Sequence, residues 1–189
     1  MHKINVAVIG VGHLGEIHAR IYKELPHANL VGVCDINKDR LDKVCALLKV
    51  RGSLDYRDFL ADIDAVSIAT PTKAHFEVAR DFLKQGIHTL VEKPFTSELK
   101  QADALIRLAK QKSLVLQVGH IERFNSAFAA TRDIIQEPKF IECHRLSPFT
   151  GRSTDVGVTM DLMIHDIDIV LGLVNSPVKR IEAVGAKIL

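Results

Sequence analysis

Two stretches of the sequence place groups that can stabilise charge or move protons next to apolar runs. In LVEKPF, residues 90–95, an apolar segment ends in Glu92 and Lys93 before a proline. In VTMDLMIHDIDIVLGL, Asp161 and His165 are four residues apart on a predicted helix and therefore share a face. An ammonium beside a hydroxyl favours the alkoxide, and a histidine suits proton transfer near neutrality. These residue types are therefore suited to acid–base chemistry on a hydroxyl group.

Both stretches also have an interpretation without chemistry. Glu92 and Lys93 could form a solvent-exposed salt bridge at the end of a strand, and local chemistry alone favours neither interpretation. Asp161 and His165 could belong to a polar stripe on a partly solvated helix. Carboxylates around a histidine in an otherwise apolar helix are more typical of a functional site. Asp161 could then orient the ring or contact a substrate.

The same helix raises the question of a metal centre, through His165, Asp166 and Asp168. An HD pair is the core of one class of metal phosphohydrolases, but these proteins are largely helical and need further histidines. The alternating strands and helices at the start of this chain argue against that class. We therefore expect no metal site, assign Asp168 to the face that carries His165, and treat Asp166 as a structural or surface residue.

A glycine-rich motif, GVGHLG at residues 10–15, follows a β-branched run and opens a predicted helix. In this context the first glycine permits a tight turn, the second lets a pyrophosphate approach the backbone, and the third lets helix and strand pack closely. The free N–H groups of the helix then favour an anion. An ordinary βα turn is the alternative, and three glycines in register argue against it. The residues that we assign to a dinucleotide cofactor are Gly10, Gly12, His13, Leu14 and Gly15.

An acidic residue, Asp35, ends the second predicted strand, 20 residues after Gly15. A carboxylate at this position binds the adenosine ribose hydroxyls of NAD and repels the 2′-phosphate of NADP. The pattern therefore favours NAD, although Lys38 and Arg40 lie close enough to weaken that preference. Asp35 could also cap the helix that follows, and both roles are compatible.

Strand and helix patterns alternate over the first 120 residues. This rhythm predicts an α/β fold, a doubly wound parallel sheet of the Rossmann type. Ligands of such sheets lie at the carboxyl ends of the strands, so Glu92 and Lys93 are expected in the same crevice as the glycine-rich turn. We predict strands at residues 4–10, 30–35, 64–70, 87–93 and 114–120, and helices at 13–25, 38–49, 74–86 and 97–112, the last with Ser97 as N-cap.

Near residue 120 the rhythm changes. The pattern there predicts helices at residues 124–136 and 158–174, strands at 139–147 and 178–189, and a loop at 148–157. We therefore predict two domains, a cofactor-binding domain at residues 1–120 and, at residues 121–189, the start of a truncated α+β domain for substrate binding and oligomerisation.

Composition excludes several classes of partner. The net charge of +2 and the 5% of aromatic residues favour neither nucleic acid nor a membrane surface. The three cysteines are too few and too widely spaced for a disulfide framework or a zinc site. We expect a cytoplasmic protein.

Taken in order, these motifs resemble one family. The chain is similar to the Gfo/Idh/MocA oxidoreductases, NAD(P)-dependent dehydrogenases of sugars and cyclitols, through GVGHLG, Asp35, ATPTKAHFEVA at residues 69–79, EKP and the DxxxH helix. The resemblance implies that Lys93, Asp161 and His165 line the catalytic site. His165 would take the hydroxyl proton while a hydride passes to the nicotinamide, and Lys93 would polarise the same oxygen.

Further site residues follow from the same resemblance. Glu92 would lie near the nicotinamide ribose, and the Lys93–Pro94 bond is often cis in this family. The cofactor would also be bordered by Thr70, Pro71 and His75. Residues 118–128 and 144–169 look similar to the branch that contains bacterial nucleotide-sugar 3-dehydrogenases, which oxidise the 3-hydroxyl of UDP-N-acetylglucosamine or its uronic acid relative. On that basis the substrate-side residues would be Arg123, Asn125, Arg152 and Ser153.

Two features leave other functions open. Arg123 could equally be a surface charge on a helix. The family's second domain is a larger, mostly antiparallel sheet that builds the oligomer, and only its first part is recognisable here, so we expect an unpaired sheet edge and a homo-oligomer. The alternatives to a sugar dehydrogenase are a non-catalytic NAD-binding module or fragment, and a reductase of a small imine or aldehyde.

Overall fold

The first part of the chain is built on a six-stranded parallel sheet. The computed structural model describes residues 3–146 and 157–186, and the chain divides into two units, Met1–His120 and Ile121–Leu189. The strands of the first unit are β1 Ile4–Ile9, β2 Ala28–Cys34, β3 Arg51–Ser53, β4 Ala65–Ile68, β5 His88–Val91 and β6 Leu116–Val118. Their order is β3-β2-β1-β4-β5-β6, with every neighbouring pair parallel.

Four helices cover the two faces of this sheet. They are α1 His13–Glu24, α2 Lys38–Leu48, α3 Thr72–Lys84 and α4 Leu99–Gln111. Alternate residues of β1 enter different cores, because successive side chains of a strand point to opposite faces. Val8 packs in a cluster with Ala19 and Val44 of α1 and α2, whereas Ile9 packs in a cluster with Phe82 and Leu105 of α3 and α4. The doubly wound α/β arrangement is therefore confirmed.

The start of α4 differs from the prediction. Ser97 is not its N-cap, because α4 begins at Leu99 and Glu98 occupies the capping position without a side-chain cap. The hydroxyl of Thr96 instead donates to the carbonyl of Glu98, over 2.9 Å. The polar side chain that organises this turn therefore lies one residue earlier than the sequence pattern indicated.

The strand order reverses between β1 and β4, where a parallel sheet opens a crevice at its carboxyl edge. Backbone hydrogen bonds align the residues that follow the strands along this edge. Gly10 donates to the carbonyl of Cys34 over 2.7 Å, and Ala69 donates to the carbonyl of Ile9 over 2.8 Å. Glu92 donates in turn to the carbonyl of Ile68, over 2.9 Å. The turns after β1, β4 and β5 are thus held side by side.

The second unit contains short helices. They are a 3₁₀ turn at Ile121–Phe124, α5 Ser126–Thr131, a π-helical turn at Thr159–Met163, and α6 Ile164–Leu173, which continues that turn. The predicted helix at 124–136 is therefore shorter than expected. Among residues 3–146 and 157–186, no helix is both long and apolar enough to cross a membrane.

The two strands predicted for this unit do not form within the described residues, so that prediction is wrong for residues 139–146 and 178–186. Both segments have apolar side chains, such as Phe140 and Ile181, which are 83% and 81% exposed. A strand needs a neighbour to satisfy its backbone groups. Neither segment has such a neighbour among the described residues, so the sequence pattern alone does not produce a ladder.

Candidate cofactor and active site

The glycine-rich turn packs α1 tightly against the carboxyl edge of β1. Gly10 has φ +85°, and a Cβ there would lie 2.8 Å from the Ala69 carbonyl. A Cβ on Gly15 would lie 1.8 Å from the carbonyl oxygen of Gly10, so no side chain fits between helix and turn. The N-terminus of α1 is consequently held directly at the crevice.

Gly12, the N-cap of α1, has different surroundings. Apart from its chain neighbours and the backbone of α1, a Cβ built there would have one atom of the described residues within 4 Å, a terminal nitrogen of Arg40 at 3.8 Å. His13 and Leu14, which open the helix, are exposed. This part of the turn therefore has the room and the free helix N–H groups that a diphosphate requires.

Asp35 connects the end of β2 to the glycine-rich turn. It is 6% exposed, and its Oδ2 accepts the N–H of Val11 over 2.9 Å. Its Oδ1 accepts the N–H of Asn37, also over 2.9 Å. Asn37 is the residue that caps α2, so Asp35 is not the helix cap. A guanidinium nitrogen of Arg40 lies 3.3 Å from Oδ2.

The turn after β4 presents a polar atom without a protein partner. The Oγ1 of Thr70 is buried and has no hydrogen-bond partner within the described part of the chain. Buried hydroxyls are normally hydrogen-bonded, so this atom suits a ligand in the crevice. Pro71, which follows, is exposed and occupies the N-cap position of α3.

His75 joins this turn to the turn after β5. The ring is 1% exposed, its Nε2 lies 2.8 Å from the carbonyl oxygen of Thr70, and its Nδ1 lies 2.9 Å from that of Pro94. Both ring nitrogens therefore face protein carbonyls. His75 supports the two turns that border the crevice.

Replacing His75 with Phe tests this support. Phe has a similar volume and no ring N–H. A neutral imidazole carries one N–H, so one of the two carbonyls loses its donor. We expect a loss of about 1–3 kcal/mol in the free energy of unfolding, measured by urea denaturation. His27→Phe, at an exposed histidine, is the matched control and is expected to change stability little. Equal stabilities of the two variants would contradict the assignment.

The turn after β5 carries the Glu92–Lys93 pair. Glu92 is 5% exposed, so the solvent-exposed salt bridge is not the arrangement found. One carboxylate oxygen of Glu92 accepts the backbone N–H of Lys93 over 3.1 Å, and the other lies 3.3 Å from Nε2 of His18. The Lys93–Pro94 peptide bond is cis. Lys93 is half-buried at the same sheet edge as the glycine-rich turn.

In the second unit, Asp161 and His165 occupy different helical windings. Asp161 lies in the π-helical turn and His165 lies in α6. The hydrogen bonds of a π-helix run from i to i+5. The rule that residues four apart share a face holds for an α-helix, so it does not apply directly to Asp161 and His165. Such π turns are frequent at functional sites, which agrees with the predicted role of this segment.

Two arginine–carboxylate pairs hold α6. Arg123 binds Asp168 through two hydrogen bonds of 2.7 Å, and Arg145 binds Asp166 through bonds of 2.7 and 2.8 Å. The hydrogen bonds from Arg145 lower the pKa of Asp166. Asp166 and Asp168 thus anchor the helix on either side of Ile167. The prediction that Arg123 contacts the substrate therefore requires that it do so while it is paired with Asp168.

The remaining predicted substrate residues have varied positions. Asn125 caps α5 by accepting the N–H of Ala127 over 3.0 Å, and its amide donates to Glu122 over 3.1 Å. Arg152 and Ser153 lie outside the described residues. Within the described ranges, no group of three His, Cys, Asp or Glu side chains could hold a metal ion.

Comparison with known proteins identifies the family. A family model described as an oxidoreductase family with an NAD-binding Rossmann fold, Gfo/Idh/MocA, matches residues 4–120. The chain belongs to this family. It is 44% identical over 186 residues to the UDP-N-acetylglucosamine 3-dehydrogenase of Acidithiobacillus ferrooxidans, covering 98% of this chain and 59% of that relative. The chain therefore spans about three fifths of the relative's length.

Solved structures of family members have the same fold. That of the Acidithiobacillus ferrooxidans enzyme matches with a TM-score of 0.85 and 45% identity, covering 92% of this chain and 57% of the other. A scyllo-inositol dehydrogenase from Lactobacillus casei, solved with NAD(H) and scyllo-inositol, matches with a TM-score of 0.79 and 26% identity, covering 90% of this chain and 56% of the other.

Proposed function

We propose that this protein is an NAD-dependent dehydrogenase that oxidises the C3 hydroxyl of a UDP-N-acetylated sugar, such as UDP-N-acetylglucosamine, to a ketone. The observation that carries the proposal is the placement of the glycine-rich turn, Asp35 and Lys93 along one sheet edge. The 44% identity to a relative named UDP-N-acetylglucosamine 3-dehydrogenase supports the substrate class.

The residues of the crevice fit a dinucleotide. The open backbone at Gly12 and the start of α1 suit the diphosphate, and the nearly buried carboxylate of Asp35 suits the adenosine ribose. Oδ1 of Asp35 accepts one backbone N–H and keeps a second lone pair for a ribose hydroxyl, whereas Oδ2 accepts both the Val11 N–H and the Arg40 guanidinium. The Oγ1 of Thr70, which has no hydrogen-bond partner among the described residues, and the carboxylate of Glu92 suit the nicotinamide half. When bound, NAD supplies the acceptor for the substrate's hydride.

Side chains of this protein would stabilise the charge on the substrate oxygen and accept its proton. The ammonium of Lys93 stabilises the negative charge that develops on that oxygen as the hydride leaves carbon. We assign the hydroxyl proton to His165 and the orientation of its ring or of the substrate to Asp161, as the family resemblance implies. The C–H electron pair passes to the cofactor and the O–H proton to His165, which leaves a ketone. Substrate binding is assigned to Arg123, Asn125, Arg152 and Ser153.

The preference for NAD over NADP can be tested by replacing Asp35. Asp35→Ala removes charge-assisted hydrogen bonds of about 1.5–3 kcal/mol, so we expect the Kd for NADH to rise by roughly ten- to a hundredfold. NADPH should lose less affinity, because Lys38 and Arg40 remain and the repelling carboxylate is gone. Fluorescence titration of both cofactors measures the ratio.

Asp39→Ala is the matched control for this result. Asp39 lies in the exposed first turn of α2, so its loss changes the same charge without touching the crevice. Equal effects of the two substitutions would show a general electrostatic change. An unchanged NADH affinity in Asp35→Ala would remove Asp35 from the ribose site.

The function itself is tested with NAD and UDP-N-acetylglucosamine in a single-turnover experiment that follows the absorbance of reduced nicotinamide. We expect a rise that requires both reactants. Binding of NADH without any turnover would instead support the non-catalytic NAD-binding module. Oxidation of NADH by a small imine or aldehyde, without activity on the sugar, would support the reductase.

We also propose that the protein works in the cytoplasm as a homo-oligomer, without nucleic acid or membrane as partner. The net charge of +2 supports the absence of a polyanionic partner. Unpaired apolar segments such as residues 139–146 support oligomerisation. Size-exclusion chromatography with light scattering measures the oligomeric state, and a monomer at micromolar concentration would contradict that part of the proposal.

A further inference from the structure

One half-buried histidine has no role in the function proposed so far. His18 lies in α1, one turn beyond Gly15, and its ring reaches across the carboxyl ends of two strands. Its Nδ1 lies 2.8 Å from the hydroxyl oxygen of Ser67 in β4, and its Nε2 lies 3.3 Å from the carboxylate of Glu92 after β5. The side chains of His18 and Glu92 are 16% and 7% exposed.

The geometry is satisfied by a neutral imidazole with its proton on Nε2. The ring then donates from Nε2 to Glu92 and accepts the hydroxyl proton of Ser67 at Nδ1. Ser67 is fully buried, and its hydroxyl, 2.8 Å from Nδ1, holds the ring from the side of the core. The ring of His18 is thus fixed from the core side and directs one donor at Glu92.

The carboxylate of Glu92 is confined from other directions as well. Its second oxygen accepts the N–H of Lys93, and a Cβ on Gly119 would lie 2.6 Å from its first oxygen. A buried carboxylate is costly unless it is hydrogen-bonded. Without the donor of His18, Glu92 would lose a charge-assisted partner and would be free to turn out of the crevice.

We propose that His18 is a positioning residue for the nicotinamide half of the cofactor site. It holds the Glu92 carboxylate against the turn that presents Lys93, while Ser67 fixes its own ring. The proposal rests on the proposed function, because it takes the crevice to bind NAD. The adenosine half is bordered by the glycine-rich turn and Asp35, which do not include the atoms that His18 contacts. Loss of His18 should therefore affect the two halves unequally.

Titration of the purified protein with NADH and with ADP separates the two halves, since ADP lacks the nicotinamide riboside. His18→Leu keeps much of the volume and removes the donor. We expect a Kd for NADH at least tenfold higher and a Kd for ADP within about twofold of the unaltered protein. His18→Gln, which places an amide N–H near the position of Nε2, should restore most of the NADH affinity.

Every result bears on the proposal. Equal losses for NADH and ADP, or no loss for either, would overturn it, as would failure of His18→Gln to bind better than His18→Leu. If His18→Leu does not fold, Ser67→Ala releases the ring instead, and an NADH-specific loss of about threefold is expected; equal or absent losses again overturn the proposal. Failure of the unaltered protein to bind either ligand would overturn the proposed function instead.

Discussion

Replacing Lys93 with Met is expected to lower the rate of hydride transfer by a factor of about 10²–10⁴ while NADH affinity stays within a few-fold. Met retains most of the aliphatic stem, so the half-buried position after β5 stays filled. The substitution removes the ammonium to which we assign stabilisation of the substrate oxygen, and that negative charge develops only as the hydride leaves. The single-turnover experiment with NAD and UDP-N-acetylglucosamine measures the rate, and fluorescence titration measures NADH binding.

Lys84→Met is the matched control for this result. Lys84 lies in the last turn of α3 and is exposed, so its loss should leave both quantities unchanged. Retained turnover in Lys93→Met would remove Lys93 from the chemistry. Equal losses of turnover and NADH affinity would show that Lys93 supports the turn instead of acting on the substrate.

A second large effect is expected at Gly15. A Cβ at this position would lie 1.8 Å from the carbonyl oxygen of Gly10. To make room for it, α1 would have to move away from the glycine-rich turn, which would disrupt the sheet edge. We expect Gly15→Ala to cost roughly 3 kcal/mol or more in the free energy of unfolding. Urea denaturation measures the loss.

Gly12→Ala provides the contrast. The nearest atom to its Cβ would be the flexible end of Arg40, at 3.8 Å, so the free energy of unfolding should change by less than about 1 kcal/mol. The added methyl group occupies the space that we assign to the diphosphate, and NADH affinity should fall by about tenfold or more. A stable Gly15→Ala protein, or a Gly12→Ala protein with full affinity, would contradict the respective assignment.

The parallel sheet could be predicted because its strands are buried on both faces. Continuous apolar runs such as those at β1 and β2 have few alternatives to a central strand. The short strand β3, with the sequence RGS, has no such signal. It forms because residues 51–53 pair with the end of β2, which is a tertiary cause.

The same reasoning accounts for what the sequence revealed of the site. Asp35, Glu92 and Lys93 could be assigned to the sheet edge because each lies at the carboxyl end of a predicted strand, and parallel strands bring these ends to one edge. The partners of His18 are 49 and 74 residues away in sequence, and no local pattern connects them. The one indication in the local sequence is that His18 lies three residues after Gly15, and therefore on the same face of α1, the face that packs against the sheet.

In the second unit, local pattern was less informative. The sequences at 139–147 and 178–189 are strand-like, but pairing depends on a neighbour that the local sequence does not encode. A pattern analysis that assumes 3.6 residues per turn likewise could not predict the π-helical turn at residues 159–163. Both differences lie in the second unit, residues 121–189.

The hydrogen bond from the Val11 N–H to the Asp35 carboxylate has a consequence for amide hydrogen exchange with solvent. The Val11 amide can exchange its hydrogen only when this contact opens, because Asp35 is its acceptor. The same carboxylate is the group that we assign to the ribose. A ligand that engages Asp35 and favours the closed turn would therefore slow exchange at Val11 by mass action, in proportion to its saturation. One backbone amide thus becomes a reporter of occupancy at the adenosine end of the crevice.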